Sequence, residues 1–175
     1  MHQLLLLRHA KAVPAEGKAA DRNRPLSPVG RQAMVAMRAA MRDLGLAPDL
    51  ILVSTARRTL ETLEALEPWD DTPLVDTLDQ LYLATPAQML AELHRVAETV
   101  RGVMVIGHNP GLQELAVSLA GGPGGDTEAA RRAAEGFPTA ALAEFSVAGT
   151  WGQLDRRAAR LVRLIRPRDL ARADR

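Results

Sequence analysis

Apolar and polar residues alternate along this chain in two different rhythms. Leu4 to Leu7, Leu50 to Val53 and Val103 to Ile106 are short runs without a polar residue. Such runs are too short to span a bilayer and too uninterrupted for a half-exposed strand. They suit strands of a parallel sheet, which are buried on both faces. From Ala141 to Val147 the pattern changes, with Ala141, Ala143, Phe145 and Val147 on one side and other residues between them. That is the period of a strand, and Gly149 to Gly152 reads as the turn into a last strand over Arg160 to Arg166, ended by Pro167.

Between the strands the period lengthens. Ser27-Pro28 reads as a helix cap followed by proline at the first helical position, and Met34, Met37, Met41 and Leu44 recur at helical spacing up to Gly45. These methionines are read as core packing. Leu60, Leu63 and Leu66 give a second helix one apolar face, stopped before Pro68. A short strand is expected within Pro73 to Leu78. Thr85-Pro86-Ala87-Gln88 has the form of a capping box, and Met89, Leu90, Leu93, Val96 and Val100 continue it as an amphipathic helix that carries His94 on its surface. Asn109-Pro110 repeats the cap-plus-proline pattern before Leu112, Leu115 and Leu119. Ala12 to Arg24 has no period and reads as a loop. Gly121 to Gly125 is the most flexible passage, an ordinary connection or a flap near the site, and Asp126 to Ala134 reads as a short helix. Strands alternating with helices predict a three-layer α/β/α sandwich. Its sheet is mostly parallel with an antiparallel C-terminal edge, and residues 1–175 form one domain.

Composition adds exclusions. Hydrophobic residues make up 47% and charged residues 25%, as in ordinary globular proteins. The 22 basic and 21 acidic side chains leave a net charge of +1, so neither nucleic acid nor a membrane surface is an expected partner. The arginines of Arg156 to Arg175 are read as a solvated face or tail. Without cysteine there is no disulfide and no thiolate nucleophile or ligand. Met1-His2-Gln3 lacks the charge of a signal peptide's start, and a cytoplasmic location is expected.

The apolar strands end in distinctive side chains. The first gives Arg8-His9, the second leads into Arg57-Arg58, and the third gives His108. In a parallel sheet all these ends meet at one edge, where open α/β folds hold their ligands. Histidines and arginines together, without a cluster of carboxylates, suit a dianionic phosphoryl group. The guanidinium fork grips phosphate oxygens in pairs, and a neutral imidazole nitrogen is a nucleophile near neutral pH. Positive charge at the start of the second helix opposes its dipole, which itself hints at an anion. No metal or other cofactor is expected, because the histidines lack carboxylate or thiolate company.

Leu4 to Leu7 followed by Arg8-His9-Ala10-Lys11 resembles the N-terminal signature of the histidine phosphatase superfamily, Arg-His-Gly. It is more similar to the SixA-type phosphohistidine phosphatases, in which Arg-His-Ala-Lys is common. Four further passages agree: Arg24-Pro25-Leu26-Ser27 with Gly30, Val53 to Thr62, Gly107-His108-Asn109-Pro110-Gly111, and Phe137-Pro138-Thr139-Ala140. The likeness runs from Leu4 to about Leu170. It departs from the superfamily at Ala10, where glycine is usual, and at Thr55, where proline is usual.

The resemblance implies that His9 is the nucleophile and becomes a phosphohistidine, while Arg8, Arg58 and His108 grip the phosphoryl oxygens. The family spacing of Ser54, Arg58 and Thr62 selects Arg58 over Arg57. Arg57, Lys11, Arg24 and Asn109 are expected around the substrate, although Lys11 and Arg24 read equally well as solvated charges. Larger superfamily members use a carboxyl group as general acid, and here Asp76, Asp79 and Glu114 are candidates only by being acidic. The expectation is therefore a metal-independent phosphatase of phosphohistidine, which leaves without a dedicated acid. Its substrate is expected to be borne on a protein such as a phosphotransfer domain or a phosphocarrier. A phosphatase of small phosphomonoesters and a non-catalytic phosphate-binding module are the alternatives.

Overall fold

The computed structural model describes residues 1–173. Its sheet has six strands in the order β3-β2-β4-β1-β5-β6, over His2–Arg8 (β1), Leu50–Ser54 (β2), Leu74–Leu78 (β3), Gly102–Gly107 (β4), Leu142–Val147 (β5) and Ala159–Ile165 (β6). β1 to β4 run parallel, and β5 lies antiparallel to both β1 and β6. The antiparallel character of the C-terminal edge therefore rests on β5 alone. β6, the outermost strand, again points the way β1 does.

The uninterrupted apolar runs are buried on both faces, and each strand divides its residues between two cores. Leu4 and Leu6 of β1 point to one side, joining Met89 and Leu93 of α3 (Pro86–His94) and Leu112, Leu115 and Leu119 of α4 (Gly111–Ala120). Ala133 of α5 (Glu128–Glu135) and Phe137 close that layer. Leu5 and Leu7 point to the other side, where Met34, Met37 and Met41 of α1 (Pro28–Asp43) are buried, with Leu170 of α6 (Pro167–Ala173) packed against them. The result is the expected three-layer α/β/α arrangement. Ser27 caps α1 by accepting from the Gly30 N–H, and the capping box of Thr85 and Gln88 starts α3.

Several local expectations shift. Leu44 falls just past α1 and is exposed. α3 stops at His94, so Val96 and Val100 pack on the core from the following turn. α4 begins one residue later than its Asn-Pro signal suggests, although the Asn109 Oδ1 still accepts from the Gln113 N–H at 3.2 Å. The loop after β1 contains a 3-10 turn over Lys18–Asn23 and is pinned by a bridge between Ala12 and Leu26. The turn between β5 and β6 holds a fully buried Trp151, whose indole N–H donates to the Val100 carbonyl at 2.7 Å. Arg166 is not part of a solvated tail: it forms hydrogen bonds with Asp169 at the start of α6. The last two residues of the Arg156 to Arg175 segment lie outside the described residues.

The glycine-rich passage at 121–125 lies at the wrong end to act as a flap. It packs beside Ala159 and Leu161, and the pairing of Ala159 with Val147, and of Val147 with His2, puts it at the opposite edge from Arg8. No helix of the described residues is long and apolar enough to cross a membrane.

Candidate active site

β1 and β4 are neighbours, with Arg8 facing Gly107 in the ladder, so the residues that follow, His9 and His108, emerge side by side. Their ring centroids are 5.4 Å apart. β2 lies on the other side of β4 and ends at Ser54. The chain then turns into α2 (Arg57–Glu64), which lays Arg58 across the two strand ends. The three side chains are almost sealed, His9 at 7%, Arg58 at 2% and His108 at 3% exposure.

α2 is held there by polar contacts. Of the leucines expected to bury it, only Leu60 is exposed: Leu63 is half-buried against the core and Leu66, just past the helix, is buried, while the fully buried residues of α2 itself are Arg58, Thr59, Glu61 and Thr62. Thr62 accepts from the Ala10 N–H at 3.0 Å and donates to the Arg58 carbonyl at 2.7 Å, tying the end of β1 to the helix. The Thr59 hydroxyl lies 2.8 Å from the Ser54 carbonyl.

The hydrogen bonds assign the protons. His9 Nδ1 lies 2.7 Å from the Ala10 carbonyl, which can only accept, so Nδ1 carries the hydrogen and the lone pair of a neutral ring is on Nε2. Burial first, and then the charges of Arg58, Arg8 and Arg24, push His9 down to about 4. Above that pH the ring is neutral, with the Nε2 lone pair unprotonated. At His108 the Arg58 guanidinium, always a donor, lies 3.3 Å from Nδ1, so Nδ1 accepts and Nε2–H donates to Ser54 Oγ at 2.7 Å. Burial, followed by the charge of Arg58, pushes His108 down to about 3. It is neutral here.

Arg8 donates one N–H to the Phe137 carbonyl at 3.0 Å. Its Nε, and that of Arg58, are buried without a partner among the described residues. Charged donors buried without acceptors are costly, and a phosphoryl group supplies acceptors. The segment carrying Phe137 reaches the site through Ala140, whose N–H donates to the His9 carbonyl at 3.0 Å while its backbone adopts a left-handed φ of 61°.

Two participants escaped the sequence reading. Asp21, on the 3-10 turn, accepts from Arg58 twice, its backbone oxygen from Nη1 at 2.8 Å and its carboxylate from Nη2 at 3.2 Å. The same carboxylate accepts from Tyr82, the chain's one tyrosine, and from Arg24 Nε at 3.1 Å. The Tyr82 ring stands edge-on to His108, with centroids 5.5 Å apart. Hydrogen bonding from Tyr82 first, then the charge and hydrogen bond of Arg58, hold Asp21 down at about 2. The only sequence signal was an acidic residue three positions ahead of Arg24, within a loop that has no period.

The remaining expected residues divide. Arg24 is close enough to depress His9, though its own hydrogen bonds go to Asp21 and the Val13 carbonyl. Arg57 is exposed and turns back along α2 to Glu61 at 2.8 Å, away from the Arg58 cluster. The Lys11 side chain is exposed, and its backbone oxygen serves Ser27. Asn109 spends its amide N–H on the Phe137 carbonyl at 2.9 Å, buttressing the oxygen that Arg8 also uses. Among the acids, Asp79 is exposed and held below the usual carboxylate range by Thr55 and Arg22, so it keeps no proton to give. Asp76 lies in the exposed edge strand β3, beside Glu92 and Arg95, and Glu114 is exposed on α4. No group of three His, Asp or Glu side chains among the described residues is arranged to hold a metal ion.

A histidine with a free Nε2, flanked by a second histidine and buried arginines at the strand ends of this sheet, defines the class: a histidine-based phosphatase. No protein-family model matches the chain. An uncharacterized protein of Mycobacterium tuberculosis is 37% identical over 163 residues, which are 93% of this chain and 100% of that protein. Among solved structures, a protein of Nakamurella multipartitia provisionally named phosphohistidine phosphatase SixA is 29% identical, with a TM-score of 0.82 over 95% of this chain and 96% of its own. One of Agrobacterium tumefaciens with the same provisional name is 28% identical, with a TM-score of 0.78 over 95% and 98%. The chain belongs to the histidine phosphatase superfamily, and within it is similar to the SixA-type proteins.

Proposed function

We propose that this phosphatase hydrolyses phosphohistidine carried on a protein, by way of a phosphorylated His9. The observation that carries the reading is the Ala10 carbonyl on His9 Nδ1, which leaves the Nε2 lone pair as the one reactive face of a neutral ring. Nε2 attacks phosphorus in line, an N–P bond forms as the substrate's N–P bond breaks, and the substrate imidazole leaves. Water then attacks phosphorus, the bond to His9 breaks, and inorganic phosphate is released. Arg8 and Arg58 supply fixed positive charge throughout, which is most of what phosphoryl transfer requires. An arriving dianion counters the Arg58 charge that, after burial, keeps His108 neutral, so that ring takes up a proton from water and holds an equatorial oxygen through that N–H.

The leaving group follows from the carboxylates. Asp21, the one drawn into the cluster, is ionised and bound to cations, and Asp79 is likewise ionised. An alkoxide would need an acid that neither of them offers, whereas a phosphorylated imidazole can take a proton from water on its other nitrogen. The partner is then a phosphotransfer domain or phosphocarrier in the cytoplasm, approached through the rim formed by Arg24 and Tyr82.

The test is to incubate the protein with a phosphohistidine-bearing protein and quench in alkali. Phosphate should be retained on the enzyme in an acid-labile, alkali-stable bond, and His9→Ala should abolish it. Turnover by His9→Ala at the rate of the parent would overturn the nucleophile. Faster hydrolysis of sugar or nucleotide monoesters than of phosphohistidine would overturn the substrate.

A further inference from the structure

Arg58 is the most deeply buried charge in the site, and Asp21 is the acidic residue that touches it. A guanidinium can rotate about its long stem, so a phosphate-binding arginine delivers its full effect only when its fork is fixed before the substrate arrives. Asp21 fixes two of the fork's ends, Nη1 through its backbone oxygen and Nη2 through its carboxylate. Nε remains the buried donor without a partner. Asp21 is itself held from the opposite side by the Tyr82 hydroxyl and by Arg24. The groups converge from elements distant in sequence: the 3-10 turn at Lys18–Asn23, α2, and the turn that follows β3. Thr55 and Asp79 extend the same chain of contacts through Arg22, whose guanidinium carbon sits 4.1 Å above the Tyr82 ring.

We infer that Asp21 is the positioning residue for Arg58: it sets the guanidinium in the orientation that stabilises the transferring phosphoryl group, and Tyr82 holds Asp21 in place to do so. This rests on the phosphatase reading above. Asp21 acts on the transition state more than on the resting complex. A carboxylate next to Arg58 repels a bound phosphate, so in the ground state Asp21 both orients the arginine and competes with the ligand, and these effects oppose each other. In the five-coordinate state, where charge spreads over equatorial oxygens at fixed positions, orientation dominates.

Two oxyanions separate these states. Inorganic phosphate reports the ground state. Orthovanadate, which accepts a fifth ligand in line from an imidazole nitrogen, resembles the transferring group. Titration calorimetry on the full chain gives dissociation constants that do not depend on the fraction of folded protein. Asp21→Asn should weaken orthovanadate at least tenfold while changing phosphate less than threefold, and Tyr82→Phe should do the same to a smaller degree. In an Arg58→Ala background, Asp21→Asn should add nothing further, because the residue acts through the arginine. Equal weakening of both anions, or an undiminished effect without Arg58, would make Asp21 a merely structural residue and overturn the inference. Equal tightening of both would make it only a competing anion and overturn the inference as well. A parent protein that binds neither oxyanion would overturn the phosphatase reading along with it.

Discussion

At the scale of single residues, neighbouring arginines of the same type have opposite fates. Arg57 is exposed and neutralised by Glu61, whereas Arg58 is buried against His108 and Asp21. Lysine in place of Arg58 keeps the charge and loses the fork, so Arg58→Lys should lower kcat/KM roughly 100-fold. Arg57→Ala should stay within about threefold of the parent, because its charge is already spent on Glu61. Steady-state rates on one phosphohistidine substrate decide both. The same environment predicts a pH profile. With His9 pushed down to about 4, the acid limb of kcat/KM should fall near pH 4 and not near the 6.5 of an ordinary imidazole. Arg8, His9 and His108 were legible in the sequence because each follows an apolar strand, whereas Arg58 was told from Arg57 only by the family resemblance. Asp21 and Tyr82 were not legible, since their roles arise from side chains that meet across loops, and loops leave no periodic trace.

Among the elements, the strands were easy to read and α2 was not. A hydrophobic stripe marks the inward face of a helix only where the core is apolar. α2 abuts the site, so its most buried residues are Arg58, Thr59, Glu61 and Thr62, and the leucine spacing, which holds at Leu63 and Leu66 and fails at Leu60, could not reveal them. Val96 and Val100 misled differently, by packing on the core from a turn after the helix has ended. α1 illustrates how an element is set against the site. A Cβ added to Gly30 would collide with the Lys11 carbonyl oxygen, so the first turn of α1 lies directly on the chain leaving His9. Gly30→Ala should therefore destabilise the fold by roughly 1–3 kcal/mol, like other forced overpacking. Ser27→Ala, which removes the cap and the hydroxyl's bond to the Lys11 carbonyl, should cost about 1 kcal/mol. Urea midpoints compare the two, and a Gly30→Ala protein as stable as the parent would mean that α1 is free to shift.

For the whole molecule, burying two neutral histidines links folding to pH. Unfolded imidazoles take a proton near 6.5, while folded His9 and His108 wait until about 4 and about 3. Between those values the unfolded chain holds more protons, so stability falls as pH is lowered through that window and is unaffected by these groups above it. Each histidine should cost roughly 1 kcal/mol per pH unit there. Chemical denaturation at pH 7 and pH 5 measures the slope, and a His9→Gln, His108→Gln double variant should flatten it. An unchanged slope in that variant would assign the dependence to other groups. The architecture itself was legible because the uninterrupted runs sit between helical stretches, which leaves little but a parallel sheet. What they do not encode is which strands lie side by side, and hence that β5 runs alone against its neighbours.

The glycine-rich passage at 121–125, set at the opposite edge of the sheet from His9, has a practical consequence. Because the reacting groups all leave the strands at one end, the other end can be rewritten independently. Gly124 has open space around it and a φ of 76°, unlike Gly122 and Gly125, which are wedged against backbone. A reporter peptide spliced in after Gly124 should leave turnover within about twofold of the parent. The enzyme could then be tethered or labelled by its back, with the strand ends that carry His9 and His108 left unobstructed.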